Sequence, residues 1–522
     1  MKTLYVSFLL LLTFSITHAQ WTNQNPVSDS NDLRNVFFVD DNTGWIVGSD
    51  GFITKTTNAG LDWVQQSSGT TLTLTSVMSI NQNTGWISGE GGLMLKTTDG
   101  GQNWFELTSG TFELLTDLHF FDLNIGWVVG DGGTILKTTN GGSSWISQSS
   151  DNSFDLNSID FVDAFVGYAV GVDNEILSAK VLKTTDGGVN WINKSAIFDE
   201  YNGLDLSLNT VKFINADTGF VGGRIMGISP FLRKTTDGGD TWILQTLSNN
   251  LQEASTEAYY FYPYGIVSLY FKDSNTGFAV GYVGPEDTRI WTTTDGGSTW
   301  ILKFDLSMGN YLTSVYVNSA GKGWAVGGGG LMFITEDEGN SWALTLNHCD
   351  IHSVFFVTEN TGWAAGYGIP GRSGDIIFKT TNGGKIWKSQ FFGSNGGGTT
   401  RAVYFLDENI GWTCGIDADH YTTDGGENWS LSYFPGNTCI FFIDQNTGWN
   451  TADNTQSNSG IYKSTDGGIT WAPKNNQSCA SVFFVNSNIG WAVGASGNIL
   501  KSTDGGETWT PKTSGTTSDL NC

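Results

Sequence analysis

The side chains of this chain best placed to do chemistry are acids held at a fixed spacing. Eleven times the sequence repeats a box of Thr or Ser, any residue, Asp or Asn, any residue, Gly, two further residues and Trp. Its tryptophans fall at Trp63, Trp104, Trp145, Trp191, Trp242, Trp300, Trp342, Trp387, Trp429, Trp471 and Trp509. A carboxylate recurring in a glycine-rich loop suits either of two tasks, binding a hard cation such as calcium or accepting the amide protons of its own turn. The box of repeats 1, 3 and 8 carries Asn58, Asn140 and Asn382, which keep the acceptor and discard the charge. That tolerance favours turn stapling, so the pairs Asp99 and Trp104, Asp186 and Trp191, Asp237 and Trp242, Asp295 and Trp300, Asp424 and Trp429, Asp466 and Trp471, and Asp504 and Trp509 are read as structural.

Other chemistry is thinly supplied. His119, His348, His352 and His420 follow the first segment, and only His348 and His352 share a face of an extended run. Two ligands without a third do not make a metal centre, so no metal or cofactor is assigned. Carboxylates abound, but a glycosidase pair is defined by separation in space and none can be nominated from sequence. No catalytic residue is therefore named. Binding residues are easier to propose. Tyr259, Tyr260, Tyr262 and Tyr264 fall within six positions, and their rings bury area while the hydroxyls keep a hydrogen bond, which suits a glycan or protein surface. The same tyrosines could instead pack beneath their own long loop. Arg224, Arg289 and Arg372, with Tyr282 and Tyr367, lie in or beside other long loops, where the arginines either receive a carboxylate or balance local acids.

These residues must be positioned by the repeat. About eighteen residues before each box Trp stands a Gly followed by an aromatic, as in Gly44-Trp45, Gly126-Trp127, Gly167-Tyr168 and Gly490-Trp491. Upstream lies a short β-prone run such as Val36-Phe37-Phe38-Val39 or Val482-Phe483-Phe484-Val485. Read in order, each unit predicts strands A (SVFFV), B (GWAVG), C (ILKTT) and D, with a tight C-to-D hairpin at the box. No sustained helical period is present. Such a unit cannot bury its apolar face alone, so the fold class is all-β, a β-propeller of about eleven four-stranded Asp-box blades. Rings usually hold four to eight blades, and two rings, the second starting near residue 346 and incomplete, are favoured over one large ring.

The box and the A-to-B turn hold their lengths, whereas B-to-C loops grow in repeats 4, 5, 6, 8 and 10 and the D-to-A connections swell before Phe220 and Phe278. In a propeller the two constant turns share one face and the two variable ones share the other. The variable face is the expected binding surface, since elaborated loops on a rigid scaffold commonly carry recognition.

Met1 to Ala19 combine one Lys, an apolar run from Leu4 to Phe14 and a small-residue end before Gln20, the pattern of a cleavable signal peptide. Residues 20–522 would then be a secreted, periplasmic or cell-surface protein, without a transmembrane segment. With 25 Lys plus Arg against 51 Asp plus Glu, nucleic acid is excluded as a partner, because phosphate contact needs a basic face. Cys349, Cys414, Cys439, Cys479 and Cys522 show no metal spacing, and four lie in or near strand A of successive units, where a disulfide or simple burial are both open. Trp21-Thr22-Asn23-Gln24 reads as a lone strand D and Asp519-Leu520-Asn521-Cys522 as the opening of another strand A, so a chain cut short is expected, unless the two join in one closed blade.

Box and blade together resemble Asp-box families: sialidases, xyloglucanase-type glycosidases, sortilin-like receptors and, most closely, the photosystem II stability/assembly factor family. The run Gly126-Trp127-Val128-Val129-Gly130-Asp131-Gly132-Gly133-Thr134-Ile135-Leu136-Lys137-Thr138-Thr139 before a box is similar to that last family, and the resemblance covers essentially the whole mature chain. It implies a non-enzymatic protein-binding role, in photosynthesis for members that assist photosystem II assembly, built on a seven-bladed ring with an arginine-rich patch. This chain departs in having eleven units and six dispersed arginines. The sialidase arginine motif is missing, with Gly223-Arg224-Ile225-Met226 the nearest string. The resulting expectation is a secreted binding or scaffold protein that takes a protein or polysaccharide ligand, with a xyloglucanase-like glycoside hydrolase as the alternative.

Overall fold

The structure is a computed structural model that describes residues 32–148, 154–173, 175–195, 198, 206–225, 228–247, 265–283, 287–307, 311–328, 331–344, 350–369, 372–384, 387–392, 398–416, 419–452 and 459–520. These residues form eleven four-stranded antiparallel sheets, each made of four consecutive strands in the order A-B-C-D. In blade 1 the strands are Leu33–Phe38, Gly44–Gly48, Ile53–Thr56 and Val64–Gln66. The all-β propeller expected from the repeat is what the chain builds.

Register explains the glycine before each strand-B aromatic. Gly44 lies opposite Phe38, whose ring covers it so closely that an added Cβ would sit 2.6 Å from the ring carbons. The same approach recurs at Gly126 under Phe120 and Gly490 under Phe484. Strand B is buried along its whole length in blades 1 to 3, because one side chain faces the blade before and the next faces the blade after. Thus Ile46 joins the core shared with Trp324 and Met332, while Trp45 and Val47 join the core shared with Val77 and Leu95.

Most interfaces are centred on three rings, but not those into blades 2 and 7, whose strand A ends in Ser79 and Val317. The strand-B aromatic of one blade stacks on the last Phe of the next blade's strand A, and that blade's box Trp meets the same Phe edge-on. Trp86 stacks on Phe120 at 3.7 Å and 10°, with Trp145 at 5.9 Å and 84°. Trp127 with Phe161 and Trp191, and Tyr168 with Phe213 and Trp242, repeat it. Stacked and edge-on pairs add about 0.5–1.5 kcal/mol each beyond the area they bury.

The same triad closes a ring. Trp324 of blade 7 (Leu312–Leu344) stacks on Phe38 of blade 1 at 3.9 Å, and Trp63 meets Phe38 edge-on at 5.8 Å. Thr313 Oγ1 donates to the Leu33 carbonyl at 2.8 Å, and the Val36 amide donates to Ser314 Oγ at 3.3 Å. Blades 1 to 7 are therefore a closed circuit. Blade 8 (Asp350–Phe392) starts a further arc, its Ala364, Ile376 and Phe378 packed into a core with Phe333 and Leu344 of blade 7. Trp363 on Phe405, Trp412 on Phe442 and Trp449 on Phe484 carry the arc to blade 11. There Trp491 is 37% exposed beside Phe483 and Val485, also exposed.

Candidate functional site

The box is assembled as its residue types dictate. Gly100 and Gly101 have φ of 73° and 86°, the left-handed region that the tight hairpin requires. Thr97 Oγ1 accepts the Gly101 amide at 2.8 Å and donates to Asp99 Oδ1 at 2.9 Å. Asp99 Oδ1 also accepts the Asn103 amide, and Oδ2 accepts Asn103 Nδ2 at 2.8 Å. With donors on both oxygens, chiefly from Asn103, the acid is held down at about 2. Equivalent bonds hold Asp186 to Asn190, Asp237 to Thr241, Asp295 to Thr299, Asp424 to Asn428, Asp466 to Thr470 and Asp504 to Thr508. Asn140 serves equally well, its Oδ1 taking the Ser144 amide at 2.9 Å and its Nδ2 donating to Ser144 Oγ.

The box also joins blades. Trp86 Nε1 and Lys96 Nζ both donate to the Gly141 carbonyl in the next blade's box, at 3.1 and 2.7 Å. Trp127 and Lys137 treat Gly187 in the same way, and Trp363 and Lys379 treat Gly425. Lys96 also lies 5.2 Å over the Trp86 ring. The strand-C lysine is thus a structural cation, which the sequence reading had not singled out.

On the opposite face the B-to-C hairpins rise unequally. Strands B and C span Gly44–Gly48 and Ile53–Thr56 in blade 1, but Gly167–Asp173 and Ser178–Thr184 in blade 4 and Gly219–Ile225 and Ile228–Thr235 in blade 5. Blade 6 has Gly277–Val283 and Asp287–Thr293, and blade 8 has Gly362–Ile369 and Arg372–Thr380. Three adjacent blades therefore carry a raised wall. Along it Asp173 and Lys180 pair at 3.0 Å.

The nominated binding residues disperse on this face. Arg224 is half-buried in strand B of blade 5, and Tyr367 is half-buried in strand B of blade 8, paired with Asp350 and Asp375. Arg289 is buried and ion-paired with Asp305, Nε to Oδ1 at 3.2 Å, beside a local acid as one of its two readings had it. Tyr282 and Arg372 sit on lengthened strands, with side chains outside the described residues. Tyr259, Tyr260, Tyr262 and Tyr264 lie outside the described residues altogether, as do His348, Cys349 and Cys522. His352 Nδ1 lies 2.8 Å from the Thr400 carbonyl. Cys414, Cys439 and Cys479 are free thiols, and Cys414 belongs to strand B (Gly411–Ile416) rather than strand A.

A second candidate lies on the ring axis. All seven inner strands of blades 1 to 7 line one cavity of about 530 Å³. One layer of it is a belt of bonds between blades. Ser76 Oγ and the Leu118 amide donate to Asp117 Oδ1, while Ser158 Oγ and the Ile159 amide donate to Oδ2. Burial nonetheless pushes Asp117 above the usual carboxylate range. In the next layer Lys212 Nζ lies 2.7 Å and His119 Nδ1 3.5 Å from Asp160 Oδ1, and the Phe213 amide donates to Oδ2 at 2.7 Å. Burial works against the Asp160 charge, but Lys212 and His119 outweigh it and hold the acid below its usual range. The sequence offered no sign of this site, since its members stand 41 to 52 residues apart.

Four-stranded sheets in a ring, each tied to the next through a stapled hairpin, define an Asp-box β-propeller. Residues 14–111 and 151–259 match the family described as photosynthesis system II assembly factor YCF48, and residues 420–431 and 462–473 match the BNR/Asp-box repeat. Within its class the chain therefore resembles the YCF48 family. Among solved structures, YCF48 bound to D1 peptide is 19% identical at a TM-score of 0.47, covering 60% of this chain and 95% of that one. YCF48 from Cyanidioschyzon merolae is 19% identical at 0.46, covering 61% and 99%. The GH74 xyloglucanase from Xanthomonas campestris is 13% identical at 0.48, covering 94% and 81%. No curated protein matches the chain.

Proposed function

We propose that this is an exported, non-enzymatic binding propeller that takes a protein or glycan on the face bearing the lengthened B-to-C hairpins. The observation that carries this reading is the wall raised by blades 4, 5 and 6, set against boxes that keep one geometry around the molecule. Extended hairpins anchored in fully paired strands present a stiff surface, which lowers the ordering cost of binding. Blades 1 to 7 would form one unit and the arc from about residue 346 a second.

The test is a peptide, protein and polysaccharide array with a parallel hydrolysis screen, using the mature chain and a variant whose blade 4 hairpin is cut back to the blade 1 length. Selective binding that the shortened variant loses, without turnover, is the expected result. Cleavage of a polysaccharide by the intact chain would instead establish the glycosidase reading. Export is checked by fractionation and by N-terminal sequencing, with Gln20 expected as the first residue.

A further inference from the structure

Seven residues hold one rung of the ring channel: Phe37, Met78, His119, Asp160, Lys212, Tyr270 and Tyr316. Each is the penultimate residue of its strand A and lies opposite the strand-B aromatic, as Phe37 does Trp45, His119 does Trp127 and Tyr316 does Trp324. All seven line the axial cavity. Their order around the axis divides the rung in two. Blades 6, 7 and 1 supply a continuous aromatic wall, with Tyr270 and Tyr316 at 4.7 Å and Phe37 and Tyr316 at 6.2 Å between ring centres. Blades 3, 4 and 5, across the axis, supply His119, Asp160 and Lys212.

The two members of the charged wall's ion pair are unequally exposed to the channel. The Asp160 side chain is 4% exposed and both its oxygens already accept hydrogen bonds, whereas the Lys212 side chain is 33% exposed. An ammonium has three protons, and Asp160 takes one of them. The group that meets a ligand is therefore the cation. Asp117, one layer away, is only half-buried, but four donors already occupy its two oxygens. The Lys212–Asp160 pair is formally neutral, and Lys212 is the member that reaches the channel with protons to spare.

We propose that the ring channel binds a small carboxylate with a flat apolar face, its anion on Lys212 and its apolar face on Phe37, Tyr270 and Tyr316. The cavity volume falls within the range of small-molecule sites. A free aromatic acid and the C-terminal residue of a peptide share this chemistry. The site is independent of the hairpin face, and either can fail without the other.

The probes are 3-phenylpropionate and its uncharged amide, with a short peptide ending in Phe, as free acid or amidated, to separate the two sources. Calorimetry on the full chain should give a Kd of about 1 mM or tighter for the acid, and the amide should bind at least about tenfold more weakly. Lys212→Gln should abolish the acid preference and Lys212→Arg should keep it, with circular dichroism confirming both folds. Asp160 loses a partner in Lys212→Gln, so a second readout uses the unaltered protein. With methyl-labelled methionine, the Met78 signal, identified by its loss in Met78→Leu, should move with the acid and stay still with the amide. Equal affinity for acid and amide, an acid preference that survives in folded Lys212→Gln, or an unmoved Met78 signal overturns the proposal.

Discussion

Carboxylates at two kinds of position in this molecule differ in what surrounds them, and their pH behaviour follows. The box acids Asp99, Asp237, Asp295, Asp424 and Asp504 are open to solvent, yet donors fixed by the turn hold each at about 2, against 3.8 when free. A lowered folded value means that their stabilisation is complete above the free value and is lost as pH falls through the folded one. The urea midpoint should therefore hold near pH 5 and decline between about pH 4 and 2, and replacing all five by Asn should flatten that decline. Asp99→Asn should lower stability modestly at pH 7, because its Nδ2 would face Asn103 Nδ2 where Asn140 meets the Ser144 hydroxyl, while Asp99→Ala should speed hydrogen exchange at the Asn103 amide. Asp117 has the opposite sign. Burial raises its value, so its protonated form is favoured by folding and its own contribution weakens as pH rises through the folded value. Its four donors still need acceptors. Asp117→Asn would turn an amide group toward one pair of them and should cost about 2 kcal/mol at pH 7 in urea denaturation.

At the level of the strand and hairpin, the joint between blades predicts a difference between equivalent lysines. Lys137 donates to Gly187 and lies 5.4 Å over Trp127, whereas Lys501 of blade 11 lies 4.8 Å over a partly exposed Trp491 and bonds no box carbonyl among the described residues. Lys137→Met should cost about 1 kcal/mol and Lys501→Met less than about 0.5, compared by the hydrogen exchange of strand-C amides in blades 3 and 11. The strands themselves were legible, since the Gly-aromatic marker, the short β-prone runs and the constant box fix all four in every blade. The joint was not, although the lysine stands in plain view in Ile135-Leu136-Lys137-Thr138. Its acceptor is a main-chain carbonyl fifty residues on, and a carbonyl leaves no mark on residue type. The channel rung was hidden for a related reason: Phe37, Met78, His119, Asp160, Lys212, Tyr270 and Tyr316 share a register and nothing else. Sequence drew attention instead to arginines, one of which, Arg289, is occupied by Asp305.

For the whole molecule, the question is what keeps seven blades in a closed circuit when every described sheet is built from four consecutive strands and none is shared between distant parts of the chain. Closure then depends on side chains and a few hydrogen bonds. Phe38 is central, stacked on Trp324 from blade 7 and touched edge-on by Trp63 of its own blade. Gly60 adds a second constraint, since a Cβ there would lie 2.5 Å from the Trp324 indole nitrogen. Phe405 occupies the equivalent place in the arc, between Trp363 and Trp429, but its neighbours are consecutive in the chain. Truncating either phenylalanine to Ala should remove about 3–5 kcal/mol of local packing. Only Phe38→Ala should also release the ring, because blades 7 and 1 have no short connection to hold them together. Blade repeats unfold in parts, so a single midpoint would blur the distinction and hydrogen exchange is the better measure. In Phe38→Ala the amides of strand A in blade 7, Leu312–Val317, should exchange faster although they lie more than 270 residues from the substitution. In Phe405→Ala they should keep their protection. Equal protection in both variants would show that the stack of Trp324 on Phe38 is not what closes the ring.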